Sequence, residues 1–405
     1  MALSYAAWLL PGHNTVARGF PSRAAVNVGG VMLVVIWYAT CLGVVLVGRR
    51  IGRIAAQRRH PDKPPEDVPF AVADRVYYLL TVIAAIGVLY SLEHTGGLSG
   101  LVRVFQQHQA NSIRASLATS FGIQTLRYAS PIAAAVAVDR LLQRRRADWF
   151  FPINIGLLGL SAAFGTRLSI VLFAIVLLFL LSKSRPDWRI RLRTVVGFGI
   201  AMFVAITPVA YSRNADYYRA EAGVTNPFAV SADQVVAYLD TPSQVSLGVA
   251  SGMVDGRVGK LGSPSDAVSA VRPTFLQTNK TGANAPTDPG TYNYTVDVLP
   301  NYTTNSVFGD TAARYGFAGL LAVLIAYFLA AMLFGRLERG GGLGVLASGV
   351  ILYVFSEAWR LFVLNQGFVI FILLLLLALA AVPEVRVARD RRPDRTRRWV
   401  GSARA

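Results

Sequence analysis

The chain has 405 residues, 54% of them hydrophobic and only 15% charged, and its formal net charge is +18. Its apolar residues gather into blocks long enough to cross a bilayer, which excludes a soluble globular domain and points to an all-α, polytopic transmembrane bundle with one large, partly helical extracytoplasmic loop. The single cysteine, Cys41, lies inside the first block, which excludes a disulfide framework and a cysteine-based metal site.

At the N-terminus the short apolar stretch Tyr5 to Leu10 ends at Pro11-Gly12, too soon to span, and reads as an interfacial or truncated segment rather than a cleavable signal peptide. A spanning helix needs ~20 mostly apolar residues because no water is available to its backbone. Nine blocks meet or approach that length: Val26 to Gly48, Tyr77 to Leu92, Phe121 to Leu142, Phe150 to Phe164, Leu168 to Leu181, Thr194 to Ala210, Ala318 to Phe334, Leu343 to Phe355 and Phe362 to Val382. Between the second and third, Leu98, Leu101, Val102, Phe105, Ile113 and Leu117 share one helical stripe, which predicts an interfacial helix near 98–119. The organisation expected is an N-terminal bundle (1–210), a large outer loop (211–305), a C-terminal group of spans (306–382) and a basic tail (383–405).

Orientation follows from the basic residues, because Lys and Arg near span ends resist translocation. Five segments that fall on one side if every block spans hold 26 of the 40 Lys and Arg residues. That side is expected to be cytoplasmic, together with the C-terminus. The charge is then a topology signal whose partners are acidic lipid headgroups, not nucleic acid.

Within the outer loop, Ser231-Ala-Asp-Gln234, Thr241-Pro-Ser-Gln244 and Ser263-Pro-Ser-Asp266 each predict the start of a short helix. From Gln277 to Thr304 the chain is rich in Asn, Thr, Gly, Pro and Tyr, a surface suited to hydrogen-bonding sugars. A helical bundle roofed by such a loop makes a chamber open to the outer leaflet, a geometry that fits a lipid-linked substrate.

Ionisable residues within or at the outer ends of spans are costly and therefore functional candidates. They are Arg114, Arg127, Arg167, Arg213, Arg219, Asp310, Arg314, Glu357 and Arg360. Arg167 follows a short turn between two spans, Arg213 and Arg219 lie among Tyr211, Tyr217 and Tyr218, and Asp310 and Arg314 stand four apart, able simply to pair. A guanidinium fork matches the oxygens of phosphate, so an arginine cluster suits a lipid pyrophosphate and its departure in a displacement. Asp216, Asp240, Asp310 and Glu357 are the carboxylates open to a general-base role, and none stands out. No His, Asp and Glu cluster has metal-ligand spacing, so neither a metal nor a cofactor is expected.

Phe164-Gly-Thr-Arg167 before an aliphatic span, Pro300-Asn-Tyr-Thr-Thr-Asn-Ser-Val-Phe-Gly-Asp310 leading into Arg314-Tyr-Gly-Phe-Ala-Gly319, and the large loop late in the chain together resemble the Wzy-type polysaccharide polymerases, the oligosaccharide repeat unit polymerases. The resemblance implies transfer of a growing glycan from undecaprenyl pyrophosphate onto a new lipid-linked repeat unit, with a flippase and a chain-length regulator as partners. The expected catalytic residues are Arg167, Arg213, Arg314 and Asp310. Substrate contacts are expected from Arg114, Arg127, Arg219, Tyr211, Tyr218, Tyr238, Arg360 and Glu357. Two rivals stand beside it. An O-antigen ligase-like enzyme would rely on a loop histidine, which residues 211–305 lack, and a transporter would show internal repeats, which are not evident.

Overall fold

The computed structural model describes residues 26–59, 72–107, 122–144, 146–164, 167–184, 223–258, 261–276, 306–338 and 340–381, with isolated positions between 193 and 220. These residues are helical and turn structure, with no strand among them. The helices are α1 (Val28–Arg59), α2 (Asp74–His94), α3 (Gly97–Gln106), a 3₁₀ helix (Gly122–Ala129), α4 (Ser130–Arg144), α5 (Phe150–Ala163), α6 (Arg167–Ser184), α7 (Pro227–Val254), α8 (Pro264–Val271), α9 (Val307–Leu337), α10 (Gly342–Ser356) and α11 (Gly367–Ala381). Three of them, α1, α2 and α9, are long and apolar enough to cross a membrane, and α5, α6, α10 and α11 are shorter apolar helices. The sixth expected span lies mostly outside the described residues, as does the interfacial stripe beyond Gln107.

α1 and α9 run parallel and meet through glycines. Gly48-Arg-Arg-Ile-Gly52 presents two glycines one turn apart. A Cβ on Gly48 would stand 2.7 Å from the Phe328 carbonyl oxygen, one on Gly52 would overlap the Met332 carbonyl, and one on Gly335 would overlap that of Arg49. Small residues at this spacing let two backbones touch, and the dispersion gained there binds the pair. At the same end the buried Glu338 carboxylate receives Arg49 at 2.8 Å and also Arg53. Charged residues of other elements close this end too: Arg140 and Arg144 meet Asp74, and Ser184 donates to Asp139. It is called the basic end below, and the opposite one the far end.

The third expected span is not one helix. It breaks at Ser130, where the 3₁₀ helix gives way to α4 with Pro131 in its first turn, and the 3₁₀ helix lies directly against Gly87 of α2. A Cβ there would overlap the Arg127 amide. α9 likewise begins earlier than expected and is bent. Gly316 takes φ 60°, ψ −155°, a conformation open to glycine alone, and the amide of Ala318 is satisfied by the Leu261 carbonyl at 2.9 Å. The expected span is the rod beyond that bend. Since Gly48 faces Phe328, a straight α9 would bring Phe317 level with Trp37, but Phe308 packs there instead, with ring centroids 6.1 Å apart. The arm 307–315 is therefore folded back alongside the bundle.

The loop helices differ from expectation in the same direction. Helix starts were expected at Ser231 and Thr241, but one helix, α7, passes through both. Its cap is Asn226, whose side chain accepts from the amides of Phe228 and Ala229 with Pro227 at the first position, and Pro242 sits inside the helix. The third expected start is found as read: Ser263 and Asp266 form a reciprocal capping box ahead of α8. The Ser263 hydroxyl and amide hold the Asp266 carboxyl below its ordinary range. Nor is α7 a surface roof. Residues 240–252 are all buried.

Candidate functional site

α7 carries polar side chains into an otherwise apolar bundle. Near its C-terminal end Ser251 accepts the Asn27 amide at 3.1 Å, beside the first turn of α1. About one and a half turns earlier, Val245 and Ser246 press on Gly309 of the folded arm, and Ser246 bonds Ser306 at 2.5 Å. Because Phe308, next to Gly309, meets Trp37, that step from Ser251 to Ser246 moves about two turns deeper along α1. Buried polar residues continue beyond it: Gln244 donates to Asp240, and Ser243, Thr241, Asp233 and Ser231 are buried as well. The sequence reading weighed Asp240 and passed over Asp233. In the arm opposite, Asp310 and Arg314 pair at 3.0 Å, the bland outcome that their spacing allowed.

A second polar group lies where the short helices stop. α5 and α10, of 14 and 15 residues, reach only ~22 Å. Phe355, near the end of α10, contacts Phe334 and Tyr327, and Tyr327 is only ten residues from the basic end of α9. The turn that follows holds Glu357 and Arg360, paired at 3.0 Å, and dips further, with Phe362 against Tyr327 and Val363 fully buried. Glu357 and Arg360 were expected at the outer end of a span. They stand instead about halfway along the α9 rod.

Arg127 is held at a matching height, against Gly87, thirteen residues into α2. It is 7% exposed. Its guanidinium lies 5.1 Å from the Tyr128 ring centroid and 5.8 Å from that of Phe164. It makes long hydrogen bonds of 3.5 Å to Ser91 Oγ and the Tyr128 hydroxyl, and its Nε has no protein partner. Among the described residues no carboxylate neutralises it. The other buried arginine among them, Arg140, is paired with Asp74. Tyr128 stacks on Phe368 at 4.7 Å, and Phe368 packs on Tyr353 of α10 at 6.4 Å, so one aromatic series joins Arg127 to the Glu357 turn.

The remaining expected residues are not brought into this group by the described structure. Arg167 opens α6 but only its backbone is described, and the same holds for Tyr238 on α7. Arg114, Arg213 and Tyr218 lie outside the described residues. Arg219 is exposed and Tyr211 half-buried. Sequence reasoning missed Tyr353, Ser130 and the polar face of α7. A tyrosine within an apolar run gives no signal, but a helix with Ser, Thr, Asp and Gln on several faces was legible as one that needs polar neighbours.

No family model matches the chain, and no curated protein or solved structure matches it.

Proposed function

We propose that the chain is a multi-pass membrane glycosyltransferase that polymerises undecaprenyl-pyrophosphate-linked oligosaccharide repeat units at the outer face of the cytoplasmic membrane. The observation that supports this reading best is Arg127, a buried guanidinium with no acidic partner among the described residues. An uncompensated buried cation is expensive, and a bound anion relieves it. Phosphate oxygens match its donors. In the reaction proposed, a hydroxyl of the acceptor glycan attacks the anomeric carbon of the donor, the bond from that carbon to the pyrophosphate oxygen breaks, and the lipid pyrophosphate leaves with the electron pair. A cation beside the leaving oxygens lowers the barrier because negative charge grows there. The attacking hydroxyl gives its proton to a carboxylate, for which the buried Asp233, Asp240 and Glu357 are the candidates. The polar interior made by α7 and the folded arm of α9 suits hydroxyl-rich sugars.

The test is a chain-length assay. Purified protein receives undecaprenyl-pyrophosphate-linked repeat units in the presence of a chelator, and products are resolved by size. Wild type gives a ladder, and Arg127→Met reduces its rate by about 100-fold or more. Transfer of single finished glycans to a different lipid acceptor would replace the polymerase reading with a ligase. No covalent product with any lipid-linked glycan, together with its movement across vesicle membranes, would replace it with a transporter.

A further inference from the structure

The Tyr353 hydroxyl is fully buried and has no partner among the described residues. A second buried phenol, Tyr327, shares that property, but it lies between the rings of Phe355 and Phe362. Tyr353 is set differently: it stands one turn before Glu357, whose amide donates to the Tyr353 carbonyl and whose carboxylate pairs with Arg360. Through Phe368 it belongs to the same aromatic series as Arg127. Ser130, two residues beyond Tyr128, is another fully buried hydroxyl without a protein partner. Buried donors are normally satisfied, so unused ones joined to Arg127 by one aromatic series mark a place where a ligand completes the bonding.

We infer that Tyr353 is a positioning residue for a phosphate or pyrophosphate group, its hydroxyl donating to the anion that Arg127 attracts, with Ser130 as a lesser donor. This rests on the anion-binding part of the proposed function. A neutral donor opposite a charged acceptor typically contributes enough to change affinity about tenfold or somewhat more. With no ligand present the hydroxyl is a liability, so removing it leaves the free protein as stable or more stable.

Full-length protein in phosphatidylcholine nanodiscs would be titrated with undecaprenyl pyrophosphate and, separately, with inorganic pyrophosphate, using wild type, Tyr353→Phe, Ser130→Ala and Arg127→Met. Thermal unfolding without ligand would be followed for each. Tyr353→Phe is expected to weaken the lipid probe about tenfold, with an unfolding midpoint at or above wild type. Ser130→Ala should weaken it less. Wild-type affinity in Tyr353→Phe with affinity lost in Arg127→Met overturns the role of Tyr353 and leaves the anion reading standing. Unchanged affinity in both, or no binding of either probe by wild type, overturns the anion reading and this inference with it. A lowered midpoint in Tyr353→Phe assigns the hydroxyl to folding and overturns its role as a donor. Equal binding of inorganic pyrophosphate, still dependent on Tyr353, keeps the donor and removes the lipid from the reading.

Discussion

The two ends of the bundle use arginine in opposite ways. At the basic end Arg49 and Arg53 converge on Glu338, and Arg140 and Arg144 on Asp74, so the buried Glu338 and Arg140 each have a counter-charge supplied by a different helix. In the far half Arg127 is as deeply buried as Arg140, yet its surroundings are two aromatic rings and two hydroxyls. A paired buried charge loses stability when cut, because the partner is left alone. An unpaired one is a standing cost. Burial therefore does not distinguish structure from function here, whereas the identity of the partner does.

The comparison can be broken most forcibly at the glycine contact that holds the basic end together. Gly52→Leu places a side chain where the Met332 carbonyl lies, and separation of α1 from α9 should cost about 3 kcal/mol or more, read as loss of the folded fraction in denaturant or heat. Glu338→Gln comes next. It leaves two arginines sharing a neutral amide, and because both are partly solvent-exposed the cost should be about 2 kcal/mol. The same contact has a pH signature. Burial raises the Glu338 carboxyl, but the Arg53 and Arg49 hydrogen bonds and charges overcome it and hold it below the ordinary carboxylate value. Its stabilisation is thus fully present above the unfolded carboxylate range and is lost as pH falls through the lower folded value. Wild type should lose stability on acidification more steeply than Glu338→Gln. Arg127→Met tests the other half of the comparison with the opposite sign: the ligand-free protein should gain about 1 kcal/mol as activity disappears. A loss of stability comparable to Glu338→Gln would show that Arg127 is a structural charge after all. The smallest effect expected is at Ser263→Ala, about 1 kcal/mol of local helix stability in α8, seen by hydrogen exchange across 263–271 without change at either end.

Much of the helical layout was legible because apolar blocks and their basic flanks are local properties. The Ser263 box was legible for the same reason, all its bonds lying within four residues. The boxes at Ser231 and Thr241 misled because a stronger start upstream, Asn226 with Pro227, had already begun the helix, and burial of residues 240–252 carries it through Pro242. The bend at Gly316 was not legible from the glycine alone. It takes the Leu261 carbonyl, more than fifty residues away in sequence, to receive the Ala318 amide. Among the nine charged residues singled out, sequence could not separate Arg127 from Arg314. What separates them is that Asp310 lies one turn from Arg314, while the two rings around Arg127, those of Tyr128 and Phe164, come from different elements.

The shortness of α5 and α10 also bears on the lipid around the protein. α5 exposes Ile153 and Ile155, so acyl chains beside it would meet an apolar wall ~22 Å tall in a hydrocarbon layer of ~30 Å. The bilayer answers such a mismatch by thinning, at a cost of fractions of a kcal/mol per Å. Thinning on that flank lowers the plane of the nearest headgroups toward the level of Arg127, so a long-chain phospholipid could offer its phosphates at that depth while its tail stayed among neighbouring chains.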